Sequence, residues 1–423
     1  MRRILFLLLI INLLQSCSAS KIKKIRKETQ QAFMEPFYDN QFLGVFIYDP
    51  TSNDTLVKYN SEKFFTPAST TKIATLYTAL NVLPKNIPSL KYYTTGDTVY
   101  IEGTGDPSLL HPYFKDSTAL HFLKGYKHIK LNLHNFETTA YGPGWAWEDY
   151  DAYYQPERSS LPMYGNVLSV YKNDSITITP SFFKNDIIPM VAPKARRQHQ
   201  NIFYNNLHKK DTTVTPFIVD DTLVKSLLDT ALNKNVELIS KFPKVNKQTV
   251  YSIPTDSILK RMMAVSDNFL AEQLLILSSA TLSDTLNLKN AQRYILEQNL
   301  ADLKHQPRWV DGSGLSRYNL FTPESLVHIL KKIYMEQSQE RIFDLFPAGG
   351  VSGTLTNWYG GINEPYLYAK SGSLGNVYCL SGYLRTKSGK TLIFSIMNNH
   401  YKQPTEELKK RMQLVFENLR DHY

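Results

Sequence analysis

A serine and a lysine three residues apart have the chemistry for nucleophilic catalysis. Ser69 and Lys72 lie in the run Pro67-Ala68-Ser69-Thr70-Thr71-Lys72. A lysine amine beside a serine hydroxyl can act as the base for a nucleophile, provided that the amine is neutral. The same spacing recurs at five other places in the sequence, for example at Ser181 and Lys184. The pair is therefore informative only together with its surroundings and with other motifs.

Two further motifs follow in the chain. Ser266-Asp267-Asn268 lies between two segments of helical periodicity, and Lys370-Ser371-Gly372-Ser373 lies in an apolar segment typical of a β-strand. Taken alone, Ser266 and Asp267 are better interpreted as a helix cap, because both residue types favour that position.

The three motifs in this order resemble the motif set of serine β-lactamases and penicillin-binding proteins. The long interval between Lys72 and Ser266 resembles the low-molecular-mass class C penicillin-binding proteins, the D-alanyl-D-alanine carboxypeptidase/endopeptidase family, which carry a large insertion there. Further segments that resemble this family are residues 103–109, 144–149, 311–316 and 347–355.

The resemblance implies roles for the first two motifs. Ser69 would be the nucleophile that attacks the carbonyl between two D-alanines, and Lys72 would accept its proton. Ser266 would pass a proton to the leaving amine, and Asn268 would orient Lys72 and the substrate amide. A second cation, Lys370, and partial burial would keep Lys72 neutral.

The resemblance also implies how substrate is bound. Lys370 and the hydroxyls of Ser371 and Ser373 would hold the terminal carboxylate, with Gly372 between them. The backbone N–H groups of Ser69 and Ser373 would form the oxyanion hole. Lys-Ser-Gly-Ser stands where Lys-Thr-Gly-Thr is commoner in the family, and both versions keep the hydroxyls.

Aromatic and acidic residues are concentrated in residues 142–151, called here the aromatic segment. By residue type the segment is a packed aromatic loop, or a site for sugars or an ammonium group. In some members of the family an acid at the position of Asp149 contacts the free amino group of meso-diaminopimelate, and Glu148 and Asp151 are close alternatives. A basic group at Lys194, Arg196, Arg197, His199, His208, Lys209 and Lys210 favours a solvated loop.

The N-terminus has the pattern of an export signal. Arg2 and Arg3 precede an apolar run that ends at Leu14, and Leu14-Gln15-Ser16-Cys17 resembles a bacterial lipobox. We predict a signal peptide over residues 1–16 and a lipidated, solvated tether over 17–35 that begins at Cys17; ordinary cleavage near Ala19 is the alternative. The protein would be periplasmic, anchored by lipid to the outer membrane.

The fold predicted from these patterns is α+β. It is a penicillin-binding/serine β-lactamase-like domain, an antiparallel sheet flanked by helices, over residues 36–85 and 254–423, with a β-rich insertion over 86–253. The sheet would contain a hairpin over 42–59 and three strands at 366–371, 378–385 and 391–398, followed by a helix at 405–420. A helix after Pro67 would bury one stripe, formed by Ile73, Leu76, Tyr77 and Leu80.

Composition and motifs indicate which ligands and partners this protein is expected to bind. The formal net charge is +10, and the chain has 423 residues with only two cysteines. No nucleic-acid motif, metal-ligand spacing or nucleotide loop accompanies the charge, so we expect no nucleic acid, metal or cofactor. Peptidoglycan stem peptides would be the substrate and β-lactams covalent inhibitors. The alternatives are a serine β-lactamase, although no Glu-x-x-Leu-Asn motif lies between Asn268 and Lys370, and a catalytically silent cell-wall scaffold.

Overall fold

A computed structural model of the protein describes residues 21–172, 175–206 and 212–423. The predicted signal peptide (1–16), Cys17, and His208, Lys209 and Lys210 of the basic group lie outside these residues. No helix within the described ranges has both the length and the hydrophobicity needed to cross a membrane.

The described residues form fifteen strands and ten α-helices. The strands are β1 (Phe42–Asp49), β2 (Asp54–Tyr59), β3 (Asn86–Thr95), β4 (Thr98–Gly103), β5 (His128–Asn132), β6 (Val167–Lys172), β7 (Ile176–Thr179), β8 (Ile187–Ile188), β9 (Phe203–Tyr204), β10 (Thr212–Pro216), β11 (Val236–Leu238), β12 (Gln248–Pro254), β13 (Leu367–Leu374), β14 (Val377–Arg385) and β15 (Thr391–Asn399). The helices are α1 (residues 21–32), α2 (Lys72–Val82), α3 (Thr118–Lys124), α4 (Asp221–Leu232), α5 (Thr255–Val265), α6 (Asn268–Leu282), α7 (Leu288–Gln298), α8 (Pro323–Glu336), α9 (Gln339–Leu345) and α10 (Thr405–His422).

The chain forms two compact units. Among the described residues, the first unit contains 21–73, Leu303–Arg308 and Leu320–Tyr423, and the second contains Ala74–Asp302 and Trp309–Asn319. These bounds differ from the sequence-based domains at 36–85, 86–253 and 254–423, which stay a prediction.

The first unit is built on an antiparallel sheet with the strand order β13-β14-β15-β1-β2. Its central strands are buried almost throughout, because helices cover both faces. On one face, Phe416 of α10 packs against Phe394 with ring centroids 4.7 Å apart. On the other face, the Tyr383 hydroxyl donates to the Leu330 carbonyl of α8 at 2.8 Å. The predicted antiparallel sheet flanked by helices is confirmed.

Helix α1 corrects the prediction of a solvated tether for its described part. Ile25, Thr29 and Phe33 are buried in the core of the first unit, and Phe33 is only 1% exposed. These residues recur every four positions and form one buried stripe, in which Phe33 lies directly after the end of the helix. The exposed lysines at 21, 23, 24 and 27 surround that stripe. Their charge led to the prediction of a solvated segment.

The second unit contains a mixed sheet with the order β11-β5-β4-β3-β12 and a smaller antiparallel sheet with the order β10-β6-β7. Helices α3 and α4 contribute Leu120, Leu123, Leu227 and Leu228 to the core that covers the larger sheet. Helix α6 is apolar on nearly all sides and is buried over most of its length.

Helix α2 is buried more fully than its sequence predicts. All residues from 70 to 79 are buried, so a single buried stripe is wrong for this helix. Its polar side chains are satisfied within the protein: the Thr75 hydroxyl donates to the Gly312 carbonyl at 2.7 Å, and the Thr78 hydroxyl donates to the Ala74 carbonyl at 2.9 Å.

Candidate active site

Ser69 lies on a tight turn directly before α2. Residues Ala68–Thr71 form a 3-10 turn, and Lys72 is the first residue of the α-helix. The Lys72 Nζ lies 2.9 Å from the Ser69 Oγ, to which it donates a hydrogen bond. Lys72 is 0% exposed, whereas Ser69 is partly exposed. The pair is therefore in hydrogen-bond contact, with only the serine open to solvent.

The turn that carries Ser69 is held in a restricted conformation. Ala68 has a φ of +48°, a left-handed conformation that costs an L-residue about 1–2 kcal/mol. The Thr70 hydroxyl donates to the Pro67 carbonyl at 2.7 Å, and the Thr71 hydroxyl donates to the Ala68 carbonyl at 2.9 Å. Strained residues of this kind persist only where their surroundings determine the backbone, as they do here.

Asn399, on β15, anchors the chain just before this turn. Its side-chain oxygen accepts from the Thr66 backbone N–H at 2.8 Å, and its amide nitrogen donates to the Thr66 carbonyl at 3.1 Å. Sequence reasoning missed Asn399 because it lies in an ordinary strand, far along the chain from Ser69.

Strand β13 brings the third motif to the same turn. A Cβ built on Gly372 would lie 2.6 Å from the Pro67 carbonyl oxygen and 2.9 Å from the Ser69 backbone nitrogen. Only glycine permits this approach, because the atoms that a side chain would meet belong to the backbone. Gly372 therefore keeps the space above the Ser69 N–H open, as an oxyanion hole requires.

The polar side chains of β13 differ in their environment. Lys370 is 0% exposed, and its Nζ donates to the Ser371 carbonyl at 2.5 Å. The Ser371 hydroxyl donates to Thr354 Oγ1 at 2.7 Å, while Ser373 is exposed. Thr354 belongs to the 3-10 turn Gly353–Leu355 and was not singled out from the sequence, although its segment resembled the family.

Burial lowers the pKa of Lys370 well below its ordinary value, and the positive charge of Lys72 lowers it further. Two buried amines that repel each other's protons cannot both hold a positive charge easily. This environment favours a state in which one of the two amines is neutral, and proton abstraction from Ser69 requires that this amine be Lys72.

The second motif lies in the second unit, where α5 ends and α6 begins. Ser266 has a φ of +59° at the end of α5, and Asp267 caps α6 by accepting from the Leu270 N–H at 3.0 Å. The capping interpretation is thus correct for Asp267. Asn268 begins α6, and its side-chain nitrogen donates to the Tyr154 carbonyl at 3.0 Å.

The acids of the aromatic segment have different partners. Asp151 accepts from the Ala195 N–H at 2.6 Å and lies 3.4 Å from the Lys194 ammonium. Asp149, in contrast, lies near the Tyr154 side chain, and no cation contacts it among the described residues. Burial, followed by the interaction with Asp149, raises the pKa of Tyr154 to about 12. Glu148 is exposed. The Asp151 carboxylate is therefore already paired with a lysine within the protein. Asp149 is the better candidate for binding an external ammonium group.

The tryptophans of the same segment also differ. Trp145 packs under the Arg158 guanidinium, 4.8 Å from the ring centroid, whereas Trp147 is 72% exposed. The segment is thus partly a packed loop and partly an open surface.

The basic group is not uniformly solvated. Arg196 is buried, and its guanidinium donates to the carbonyls of Pro216, Arg197 and Tyr150. The prediction of a solvated loop is wrong for this residue, because these carbonyls and that of Gln198 replace water as its acceptors.

Comparison with known proteins identifies the family. The model of the D-Ala-D-Ala carboxypeptidase 3 (S13) family matches residues 25–195 and 238–419. The chain belongs to this family. The resemblance to the D-alanyl-D-alanine carboxypeptidase family is therefore confirmed. The expected enzyme class, a serine-type D-Ala-D-Ala carboxypeptidase, is confirmed with it.

Individual members of the S13 family are similar over different lengths. The D-alanyl-D-alanine carboxypeptidase DacB of Haemophilus influenzae is 32% identical over 173 residues, which cover 39% of this chain and 36% of that protein. The penicillin-sensitive carboxypeptidase A of Dictyostelium discoideum is 24% identical over 84% of this chain and 82% of that protein.

Solved structures support the fold. The crystal structure of penicillin binding protein 4 (dacB) from Haemophilus influenzae matches with a TM-score of 0.71 and 21% identity, over 93% of this chain and 97% of that chain. The predicted penicillin-binding fold of this S13 family member is confirmed.

One cluster of potential metal ligands occurs in the described part of the first unit. Ligand atoms of Glu62, His305 and Glu324 lie within 4.8 Å of one another. Lys58 and Lys304, however, each donate to Glu62 at 2.6 Å. The two lysine charges oppose a cation there, so the geometry is that of a surface ion-pair cluster.

Proposed function

We propose that this protein hydrolyses the bond between the two terminal D-alanines of peptidoglycan stem peptides through an acyl-enzyme on Ser69. The observation that carries the proposal is the 2.9 Å contact between Lys72 Nζ and Ser69 Oγ, in a chain of the S13 family. A β-lactam would acylate the same oxygen, because its strained amide takes the place of the scissile bond.

In the first step, the Ser69 oxygen bonds to the carbonyl carbon of the penultimate D-alanine, and its proton passes to the neutral amine of Lys72. The negative charge then moves to the carbonyl oxygen. The backbone N–H groups of Ser69 and Ser373 would stabilise that charge, and Gly372 leaves the space for it.

In the second step, the bond between carbon and nitrogen breaks, and the leaving D-alanine amine takes up a proton through the hydroxyl of Ser266. Water then adds to the ester, releases the shortened peptide and returns a proton to Ser69. Asn268 would orient the substrate amide and Lys72. These two roles rest on the family resemblance.

Lys370, Ser371 and Ser373 would bind the terminal carboxylate of the substrate. The pKa of Lys370 is lowered in the absence of substrate, and a bound carboxylate counteracts this by stabilising the protonated amine. Substrate binding would thus keep the proton on Lys370 and leave Lys72 neutral.

Asp149 would bind the side-chain ammonium of a diaminopimelate residue in the stem peptide. The pairing of Asp151 with Lys194 supports this choice. The same chemistry, applied to a bond between D-alanine and diaminopimelate, would open a cross-link, so cross-linked dimers belong in the assay.

The protein would work outside the cytoplasm, in the periplasm, after removal of residues 1–16. Lipidation of Cys17 would hold it on the outer membrane. The lipobox resemblance is the observation behind this part of the proposal.

Labelling with a fluorescent penicillin, combined with an assay of D-alanine release from a pentapeptide, tests the function. We expect both activities in the native protein and neither in Ser69→Ala. Ser181→Ala is a matched control, because Ser181 and Lys184 have the same spacing on an exposed 3-10 helix.

Two results would overturn the proposal. Rapid β-lactam hydrolysis without D-alanine release would identify a β-lactamase. Absence of labelling in the native protein would identify a silent cell-wall protein.

A further inference from the structure

The loop formed by residues 311–319, called here the Asp311 loop, is organised by one buried carboxylate in the second unit. Asp311 Oδ2 accepts from the Trp145 indole N–H at 2.9 Å and from the Ser316 N–H at 2.7 Å. Its Oδ1 accepts from the Gly314 N–H and the Asn319 side-chain amide, both at 2.8 Å. Every donor around Asp311 therefore requires an acceptor at this position.

The Asp311 loop holds three consecutive residues of the aromatic segment. The Ser316 hydroxyl donates to the Pro143 carbonyl at 2.7 Å. Gly144 has a φ of +75°, and a Cβ there would lie 2.7 Å from the Tyr318 ring. Trp145 then donates to Asp311. These contacts fix the backbone that leads to Asp149, four residues further along.

The same loop is attached to α6, the helix that begins with Asn268. The Ser313 N–H donates to Glu272 at 2.7 Å, and Glu272 forms a buried ion pair with Arg158 at 2.6 Å. The Arg158 guanidinium in turn lies over the Trp145 ring. Loop, helix and aromatic segment thus form a closed set of polar contacts.

We propose that Asp311 is a positioning residue for substrate selection: by holding Trp145 it fixes the aromatic segment, so that Asp149 can bind the ammonium group of the stem peptide. This inference rests on the proposed function and extends it to a residue outside the three motifs. Asp311 is 0% exposed, so it would act on the substrate through other residues.

The surroundings of Asp311 make this arrangement sensitive to pH. Burial raises the pKa of Asp311 to about 6, and the negative charge of Glu272 contributes to the rise. The Arg158 guanidinium pairs with Glu272 and lies over the ring of Trp145, the residue that donates to Asp311. Protonation of Asp311 places an O–H among four donors, so the contact with Trp145 weakens as the pH falls through 6.

Asp311→Asn tests the proposal in the full-length protein. An amide nitrogen in place of one carboxylate oxygen opposes two of the four donors, while the side-chain volume is kept. The substrates are a stem pentapeptide with a free diaminopimelate ammonium and the same peptide acetylated at that amine. We expect the preference for the free amine to fall about tenfold through KM, while penicillin labelling of Ser69 changes less than about twofold.

Trp145→Phe is the matched variant, because it removes the indole N–H and keeps an aromatic ring. Trp145→Phe should lose the preference for the free amine to the same extent as Asp311→Asn. The double variant should lose no more of this preference than either single variant. In the native protein, the indole ¹⁵N–H resonance of Trp145 should titrate with a midpoint near 6, and this titration should be absent in Asp311→Asn.

The outcomes separate the two proposals. Unlabelled native protein would refute the proposed function. Labelled protein in which Asp149→Asn loses the ammonium preference and Asp311→Asn retains it would refute the role of Asp311. Equal losses with both peptides and with penicillin would indicate general damage to the fold and also refute it, as would a Trp145 resonance that does not titrate.

Discussion

At the scale of single residues, Gly372 illustrates how a short motif depends on backbone geometry. The lysine and serines of the motif have obvious chemistry, whereas the glycine has none. Its contribution is the space it leaves above the Ser69 nitrogen. The sequence indicates that a glycine is present, but only the structure shows which backbone atoms it allows to approach.

Gly372→Ala should therefore abolish most acylation, because β13 and the Ser69 turn can no longer approach each other this closely. The new Cβ would collide with the Pro67 oxygen at 2.6 Å and cover the Ser69 N–H. Loss of one oxyanion-hole donor typically costs about 10²–10³ in rate. The measurement is the second-order rate constant of penicillin labelling. Gly125→Ala is the control, because its Cβ would meet nothing closer than 3.4 Å, and it should be labelled by penicillin at the native rate. A native labelling rate in Gly372→Ala would contradict the prediction.

Lys370→Met should shift the pH dependence of acylation. Removing the neighbouring cation lets Lys72 hold its proton more tightly, so the acid limb of the rate profile should move to higher pH. Penicillin labelling between pH 5 and 10 measures the limb. Lys331→Met, on α8, removes a lysine that pairs with Tyr48 and should leave the limb unchanged. If the acid limb of the pH–rate profile lies at the same pH in Lys370→Met as in the native protein, the two amines do not interact.

At the scale of elements, the sequence predicts amphipathic structure well and fully buried structure poorly. The predicted stripe of α10, at Leu408, Met412, Val415, Phe416 and Leu419, is buried as expected. Helix α2 differs, because its threonines are satisfied by carbonyl groups within the protein and are buried like apolar residues. Helix α1 differs because its lysines outnumber the three residues that enter the core.

Phe33→Ala should destabilise the first unit by about 3–5 kcal/mol, since it leaves a cavity where a buried ring packed. Chemical denaturation followed by fluorescence measures the change. Met34→Ala is the matched control, because Met34 is 51% exposed and should cost little. Equal effects of the two substitutions would mean that α1 does not belong to the core.

At the scale of the whole molecule, the motif set is distributed over both compact units. Ser69, Lys72 and Lys370 belong to the first, and Ser266, Asn268 and Asp149 belong to the second. Motif order and spacing were enough to predict the family and the fold class. The roles of the supporting residues were not predictable, because Asn399 and Asp311 act through partners that are distant in the chain. Asn399 lies in an ordinary strand, and the segment of Asp311 resembled the family without indicating what Asp311 holds.

Cys17→Ser should release the protein from the membrane without loss of activity. The substitution removes the thiol that lipidation requires, and Cys17 lies outside the described residues. Fractionation of cells and metabolic labelling with a fatty acid measure the effect. A membrane-bound Cys17→Ser protein would contradict lipidation at this residue.

The packing of α1 has a consequence for the distance over which an anchored enzyme could act. If lipid is attached at Cys17, only residues 18–20 separate the anchor from a helix that is part of the first unit. A fully extended residue spans about 3.3–3.6 Å, so three residues can span at most about 10 Å. The first unit would then be held close to the membrane surface, and residues 18–20 would set its distance from the lipid.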